Sequence, residues 1–363
     1  MLLLETIELR LASLFSWAPR VEWLNTRTII VMFSVLGLLA ASFVVGRVLR
    51  RQSTVVIDSA MVRAFNRRVG AWLMMCAILA LAIILGRVVT VVMFGLVSFW
   101  ALREFVTMTP TRRGDHRALF WTFFIFTPLQ YVFVGIGHSN PKLDFYGIYS
   151  IMIPVHVSLF IPARIAISGD PKRFLERSAK IQAGLLICVY AFSYAPAILD
   201  LQLWERTTGE WQLWSNRSGK NAGLLFYFVL IVQLGDVFQF IWDRVIGKHV
   251  IAPAINSRKT WEGLLGCAIS TSAVGILLNF TGVTPFTWYG AGLMALVVAL
   301  MGFAGTMTMS AIKRDRGVTD YGTLVQGHAG VLDRIDSMCF AAPVFFHITR
   351  YFLHVLPKAD GMV

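Results

Sequence analysis

Charged residues are scarce in this sequence. Of 363 residues only 15% are Asp, Glu, Lys or Arg, whereas 56% are hydrophobic and the mean hydropathy is +0.66. Soluble domains have about 25% charged residues. Apolar runs about as long as a bilayer is thick recur along the whole chain, and one soluble core does not require so many. The composition therefore argues against a soluble protein and predicts an integral membrane protein.

Cysteine is also rare, and neither cysteine nor histidine has the spacing of a metal site. The four cysteines lie in or beside apolar segments without a CxxC pair, so we expect them to be small buried hydrophobic residues. Five histidines likewise show no metal-ligand spacing, and structural positions suit them better: His116, His138, His156, His347 and His354.

Several sequence patterns are missing. There is no repeat of solenoid spacing, and the GxxxxGK[ST] spacing of a P-loop does not occur. Glu5, Glu8 and Arg10 interrupt the apolar start of the chain, so a cleavable signal peptide is not indicated. We instead predict that residues 1–27 form an amphipathic segment along the membrane surface.

The apolar runs predict an all-α, polytopic bundle of about nine or ten transmembrane helices. The predicted spans are 28–46, 71–86, 88–102, 118–136, 143–163, 181–200, 223–242, 263–281, 287–309 and 338–356. The second and third are separated only by Gly86 and Arg87, so they fit either a tight hairpin or one broken helix. We expect residues 28–200 to form N-terminal transmembrane helices, and residues 201–363 to form a catalytic transmembrane region.

Basic residues give the orientation. If the hairpin exists, one set of alternate loops contains 23 of the 33 Lys and Arg residues, and the positive-inside rule places that set in the cytoplasm. The loops 243–261 and 310–337 belong to this set. The net charge of +13 thus follows from membrane topology and does not indicate nucleic-acid binding. We attribute Arg103 and Glu104, at the end of the third span, to topology as well.

The densest polar cluster spans residues 310–337. Asp333 and Asp336 stand three apart and would share one face of a helix. Together with Asp320, they suit a hard cation such as Mg²⁺ bound partly through phosphates. Lys313 and Arg314 suit phosphate oxygens. An ordinary cytoplasmic loop would explain the cations, but it would not explain acids at the mouth of a span.

A short glycine-rich stretch lies inside this cluster. Gly327 and Gly330 would allow a ligand to approach the backbone closely. His328, between them, fits a ligand contact and a hydrogen-bonded loop residue equally well. Arg334 would point away from the face that Asp333 and Asp336 share.

A second cluster begins inside an apolar span. Asp236 lies in the middle of the run 223–242, where an acid is a functional candidate, the alternatives being a structural ion pair or a protonated carboxyl. Basic and hydroxyl residues just before the next apolar helix predict a cradle for a triphosphate, although helix capping would explain the hydroxyls too. The residues of this candidate binding segment are Lys248, Ser257, Lys259, Thr260 and Glu262.

At these two clusters the sequence resembles the CDP-diacylglycerol synthases, or phosphatidate cytidylyltransferases. The family pattern is Ser-x-x-Lys-Arg, four residues, Lys-Asp, then Gly-His-Gly-Gly, two residues and Asp-Arg-x-Asp. The residues that match it in register are Ser310, Lys313, Arg314, Asp320, Gly327, His328, Gly330, Asp333, Arg334 and Asp336. Two positions depart from it. Thr319 replaces a lysine and Ala329 replaces a glycine, which indicates a divergent subfamily.

The resemblance implies an enzyme that joins CTP to phosphatidic acid, or a related lipid phosphate, and releases pyrophosphate. It implies Mg²⁺, with a second cation fitting two-metal chemistry, and Asp236, Asp320, Asp333 and Asp336 as the metal acids. Asp236, Asp333, Asp336, Lys313 and Arg314 are then the catalytic residues. The expected setting is a bacterial inner membrane with the site facing the cytoplasm, among membrane lipids, and a homodimer is compatible with the sequence.

Other functions stay open at this point. A CTP-dependent lipid kinase would use similar residues but attack a different phosphorus atom, and a cytidylyltransferase for another lipid phosphate is equally compatible. An ion-coupled transporter would use Asp236 near the midplane, but transporters usually have two related halves. Here the polar motifs crowd into the C-terminal half. The acid series of CDP-alcohol phosphatidyltransferases does not occur.

Overall fold

A computed structural model describes residues 24–51, 59–108, 112–136, 145–207, 210–216, 220–318 and 330–359. The predicted N-terminal segment 1–27 lies almost entirely outside these ranges. Of the candidate site residues, Asp320, Gly327 and His328 also lie outside the described residues, as do the divergent positions Thr319 and Ala329.

The described chain is mainly helical. The first six helices are α1 (Thr26–Arg51), α2 (Ser59–Leu85), α3 (Arg87–Thr107), α4 (Arg113–Ile136), α5 (Tyr146–Ala166) and α6 (Phe174–Asp200). They are followed by α7 (Lys220–Val245), α8 (Trp261–Asn279), α9 (Trp288–Asp315) and α10 (Leu332–Arg350). Short π-helical stretches interrupt α4, α5 and α6 at Thr122–Phe126, Met152–Val157 and Leu185–Ala191, and Tyr351–Val355 and Leu356–Ala359 extend α10.

The protein is an all-α, polytopic membrane protein, as the sequence predicts. Within the described ranges, eight helices are long and apolar enough to cross a membrane, and Trp72–Leu85 of α2 is a shorter apolar helix. Each of the ten predicted spans falls on a helix, including 338–356 on α10 and its extension. Large apolar side chains such as Leu38, Leu96 and Ile269 are about two-thirds exposed, as lipid-facing residues should be.

Gly86 separates α2 from α3. Its φ of 119° lies in the region that glycine tolerates and other residues avoid. Contacts show that α1, α3 and α7 begin at one end of the bundle. Thr28 abuts Gly223, and Arg87 lies 3.4 Å from Asp200, whose neighbours Leu199 and Leu201 accept hydrogen bonds from Asn221. Because α1 and α3 begin at the same end, α2 returns between them, which supports the hairpin alternative.

Two small antiparallel hairpins interrupt the helices, and the sequence analysis did not predict them. Strands β1 (Gln202–Thr207) and β2 (Glu210–Asn216) follow α6. Strands β3 (Val250–Ala252) and β4 (Asn256–Thr260) connect α7 to α8 at the opposite end of the bundle. Three of the five residues of the predicted binding segment, Ser257, Lys259 and Thr260, therefore lie on strand β4.

One hydrophobic core joins the N-terminal and C-terminal helices. Buried residues of α3, α6, α7 and α10 belong to the same cluster, among them Leu102, Cys188, Phe228 and Phe345. Helix α9 packs closely on α10 because its glycines lack a side chain. A Cβ atom at Gly305 would lie 2.6 Å from the carbonyl oxygen of Asp336. This close approach sets the distance between the two helices that contain the densest polar motif.

Candidate active site

The two polar clusters of the sequence meet at one end of the bundle, where α7 and α9 end and α8 and α10 begin. The hydroxyl of Ser337 on α10 donates a hydrogen bond of 2.8 Å to Asp236 Oδ2 on α7. Asp336, the neighbour of Ser337, is buried with 7% exposure. Its carboxylate is close enough to Asp236 for the two negative charges to repel each other. Residues separated by 100 positions thus form one acidic site.

Lys313 and Asp333 form a second contact across this site. Lys313 Nζ lies 2.8 Å from Asp333 Oδ1, and the two side chains are 17% and 12% exposed. Lys313 is in the last turn of α9 and Asp333 is in the first turn of α10. The geometry therefore places a cation and a carboxylate, both predicted to be catalytic, side by side at the edge of the site.

A small pocket opens beside Asp236. Its polar lining comes from Asp236 and Gln239 on α7 and from Lys259 on β4. The remaining lining is largely apolar and comes from Val232, Gly235, Cys267, Val298, Ala299, Gly302 and Phe303. Lys259 is 14% exposed, so its ammonium is largely withdrawn from solvent. The polar side of this small pocket suits one charged group of a ligand, such as a phosphate.

Asp243 organises the approach to this pocket, and the sequence analysis missed it. Asp243 Oδ1 accepts hydrogen bonds from Gln239 Nε2 at 2.9 Å and from Thr260 N and Oγ1 at 3.0 and 2.8 Å. Its other oxygen lies 4.0 Å from Lys259 Nζ. The spacing gave a usable signal, because Asp243 follows Asp236 by seven residues and so lies on the same helix face.

Further contacts fasten the β3–β4 hairpin to the helices. Glu262 accepts hydrogen bonds from the backbone N–H groups of Lys248 and His249 at 3.2 and 3.1 Å and also contacts the His249 ring. Arg314 Nε donates to the carbonyl of Ile255 at 3.2 Å. Glu262 and Arg314, both candidate ligand-binding residues, thus also hold the loop that presents Lys259.

The remaining candidate residues lie around the same end of the bundle. Thr260 caps α8 by accepting a hydrogen bond of 3.1 Å from Gly263 N, so the capping alternative applies to this hydroxyl. Lys248, just before β3, and Ser257, on β4, are exposed. Gly330 is buried immediately before α10, and Arg334 is half-buried in its first turn.

The acids of the site fit a hard cation that shares its coordination with substrate phosphates. Among the residues that the structure describes, no group of three or more His, Cys, Asp or Glu side chains is arranged to hold a metal ion. The half-buried Asp236 and the buried Asp336 nevertheless place two carboxylates together, and Mg²⁺ is commonly bound through one or two carboxylates plus phosphates. The donor chemistry therefore suits Mg²⁺ accompanying a nucleotide better than a site formed by protein ligands alone.

Glu104 was also missed, since we attributed it to topology. It is 7% exposed, and its two carboxylate oxygens accept hydrogen bonds from the backbone N–H groups of Val331 and Leu332, directly before Asp333. No sequence signal linked these residues, which are more than 220 positions apart.

Comparison with known proteins identifies the family. A profile described as the Cytidylyltransferase family matches residues 66–352. The uncharacterised protein YnbB of Escherichia coli (strain K12) is 32% identical over 265 residues, which are 73% of this chain and 80% of YnbB.

Two curated enzymes match a shorter region. A phosphatidate cytidylyltransferase of Staphylococcus haemolyticus is 34% identical over 120 residues, 33% of this chain and 46% of that enzyme. The phosphatidate cytidylyltransferase of Mycobacterium leprae is 36% identical over 125 residues, 34% of this chain and 39% of that enzyme. These matches span less than half the length of either enzyme. Because the family profile covers most of the chain, the protein belongs to the cytidylyltransferase family and is a nucleotidyltransferase.

Proposed function

We propose that this protein transfers the cytidylyl group of CTP to phosphatidic acid or a related lipid phosphate, forming a CDP-lipid and pyrophosphate. The observation that most supports this function is the hydrogen bond between Ser337 and Asp236, which unites two polar clusters at one end of a membrane bundle. A water-soluble nucleotide can reach such an end from solvent, while the acceptor lipid keeps its tails in the bilayer.

The reaction needs positioning and charge neutralisation more than proton transfer. A phosphate oxygen of the lipid attacks the α-phosphorus of CTP and forms a new P–O bond. The bond from the α-phosphorus to the bridging oxygen breaks, and that oxygen leaves with pyrophosphate. Because the attacking phosphate is already an anion at neutral pH, no general base is required. Catalysis then comes from holding like-charged groups in line and compensating their charge.

The basic residues of the site are suited to hold phosphates. Lys259 faces the pocket beside Asp236, so we assign it to the lipid phosphate or the α-phosphate. Lys313 and Arg314, at the end of α9, are assigned to the leaving pyrophosphate. The residues assigned to further nucleotide contacts are Lys248, Ser257, Thr260, Glu262, Gly327, His328, Gly330 and Arg334.

The acids are assigned to the divalent cation that accompanies CTP. Asp236, Asp333 and Asp336, with Asp320, would hold Mg²⁺, and a second cation would fit the same chemistry. When bound, such an ion neutralises charge on the phosphates and helps to align them. The protein's own contribution is to orient Asp236 and Asp336, since the Ser337 hydroxyl donates a hydrogen bond to Asp236 and the Ser337 backbone N–H donates one to Asp336.

The charge distribution supports a cytoplasmic site in a bacterial inner membrane. The loops 243–261 and 310–337 belong to the set that contains 23 of the 33 Lys and Arg residues. We further propose that residues 201–363 perform the chemistry and that residues 28–200 provide the membrane scaffold against which α10 packs. This is a division of function, because both parts share one hydrophobic core.

The test is to incubate purified protein in nanodiscs with CTP, Mg²⁺ and a panel of lipid phosphates. CTP labelled on the α-phosphate should yield a labelled CDP-lipid, and CTP labelled on the γ-phosphate should yield labelled pyrophosphate. Transfer of the γ-label to lipid would instead identify a CTP-dependent lipid kinase and refute the proposal. Because Thr319 and Ala329 depart from the family pattern, the panel includes acceptors other than phosphatidic acid.

A further inference from the structure

Glu104 links the N-terminal helices to the helix that contains the catalytic acids. Glu104 lies near the end of α3, and its carboxylate reaches the start of α10. Oε1 accepts a hydrogen bond of 3.0 Å from Val331 N, and Oε2 accepts one of 2.9 Å from Leu332 N. The indole of Trp100 donates a third hydrogen bond, of 3.2 Å, to Oε1.

The contact supplies hydrogen-bond partners both to the Glu104 carboxylate and to the backbone N–H groups at the start of α10. A carboxylate that is 7% exposed at the end of an apolar span is costly unless hydrogen bonds compensate its charge. The first N–H groups of a helix lack partners within the helix, and the helix dipole favours a negative charge beside them. Val331, the residue that precedes α10, makes no capping hydrogen bond with its side chain, because valine has no acceptor there. Glu104 therefore supplies from α3 the cap that the local sequence of α10 does not.

The two hydrogen bonds also fix the orientation of α10. Adjacent backbone N–H groups are held by the two oxygens of one planar carboxylate, which restrains both sliding and rotation of the helix. A rotation by one residue corresponds to about 100°. Such a rotation would turn Asp333 away from Lys313 and Ser337 away from Asp236. It would therefore break both of these 2.8 Å contacts.

We infer that Glu104 is a positioning residue for the active site, which acts through the backbone of Val331 and Leu332 to orient Asp333 and Asp336. This inference rests on the proposed cytidylyl transfer. A residue of the N-terminal helices thus helps to orient the active site, even though Glu104 lies outside both polar sequence clusters.

The test uses three variants of the full-length protein in nanodiscs. Glu104→Gln keeps the shape of the side chain but removes the charge and turns one acceptor into a donor. Trp100→Phe removes the indole hydrogen bond to Glu104 but keeps an aromatic ring beside the Arg103 guanidinium, so it provides a milder change that leaves Glu104 intact. Thr287→Ala is the matched control, because Thr287 caps α9 by accepting from Gly290 N at 3.3 Å, at the opposite end from the site.

Two measurements are made on each variant. Hydrogen–deuterium exchange of residues 331–334 reports whether the hydrogen bonds from Val331 N and Leu332 N to Glu104 are intact, and it does not depend on any activity. We expect faster exchange there in Glu104→Gln, an intermediate effect in Trp100→Phe, and no change in Thr287→Ala. The Mg²⁺ concentration for half-maximal cytidylyl transfer reports the orientation of the acids. It should rise about 10- to 100-fold in Glu104→Gln, as for other residues that orient metal-binding groups.

The outcomes separate this inference from the proposed function. If Glu104→Gln only lowered the amount of folded protein and left half-maximal Mg²⁺ unchanged, Glu104 would be structural and the inference would be wrong. Unchanged exchange at residues 331–334 would overturn it as well. If the wild-type protein formed no CDP-lipid, the proposed function would fail by itself, and the exchange measurement would still decide whether Glu104 restrains α10.

Discussion

Lys313 Nζ lies 2.8 Å from Asp333 Oδ1, so a phosphate-binding candidate and a metal-binding candidate already contact each other across α9 and α10. The pair is mostly withdrawn from solvent, with 17% and 12% side-chain exposure. An ammonium group in this position can turn towards an incoming phosphate while remaining near the carboxylate. The pair thus keeps two reactive charges in place before substrate binds, which is a form of preorganisation.

Asp333→Asn should abolish cytidylyl transfer with little loss of folding. Asparagine keeps the size of the side chain but removes the charge that Lys313 and a divalent cation require. Because asparagine still offers an oxygen acceptor to the Lys313 ammonium, the loss of stability should stay within about 1–3 kcal/mol. The rate of CDP-lipid formation and the thermal unfolding midpoint measure the two effects. Asp315→Asn is the control, since Asp315 is 69% exposed and pairs with Arg316. Near-normal turnover of Asp333→Asn would exclude the assignment of Asp333 to catalysis.

Ser337→Ala should lower the transfer rate about 10-fold, because it removes a hydrogen bond that orients Asp236. Hydrogen bonds to charged groups contribute about 1.5–3 kcal/mol, so stability should fall as well. Ser193→Ala provides a comparison for the stability effect alone. Ser193 is fully buried and bonded to Gln130, far from the acids in sequence. A rate loss of the same size in both variants would show that Ser337 acts only through folding.

Asp243→Asn should weaken binding of the substrate whose phosphate Lys259 contacts. The substitution keeps an acceptor for Thr260 but removes the charge that lies 4.0 Å from Lys259. We expect a severalfold rise in KM for CTP or the lipid, with a smaller change in kcat, because a misplaced ammonium group loses binding contacts. Steady-state kinetics with each substrate varied in turn would detect this. A fall in kcat alone, with both KM values unchanged, would contradict this prediction.

Gly305→Ala should push α9 and α10 apart. The added Cβ would lie 2.6 Å from the carbonyl oxygen of Asp336, which is backbone and cannot simply rotate away. Overpacking of this kind costs about 1–3 kcal/mol, and displacement of Asp336 should lower transfer further. At Gly37 the matched substitution meets no atom within 4 Å, and alanine is the better helix former by about 0.8–1.0 kcal/mol. Gly37→Ala should therefore be neutral or stabilising, and equal thermal shifts in the two variants would refute the packing argument.

Much of the architecture could be predicted because it depends on local composition. Each apolar run is a helix, and the break at Gly86 follows from a glycine between two apolar segments. The spacing of Asp333 and Asp336 likewise placed both in the first turns of one helix. The β3–β4 hairpin is not predictable in the same way, because its strands have only 3 and 5 residues and show no alternating strand pattern.

The membrane-spanning helices, the basic loops and the two clusters of acids and cations can therefore be read from the sequence. This is possible because hydropathy, charge and helical period are properties of short stretches of chain. Three contacts of the site come from the packing of the helices and strands instead: Ser337 bonds to Asp236, Asp243 lies beside Lys259, and Glu104 caps α10. These contacts join residues on different helices or strands, and such pairings depend on how the elements pack, which no short stretch of sequence encodes.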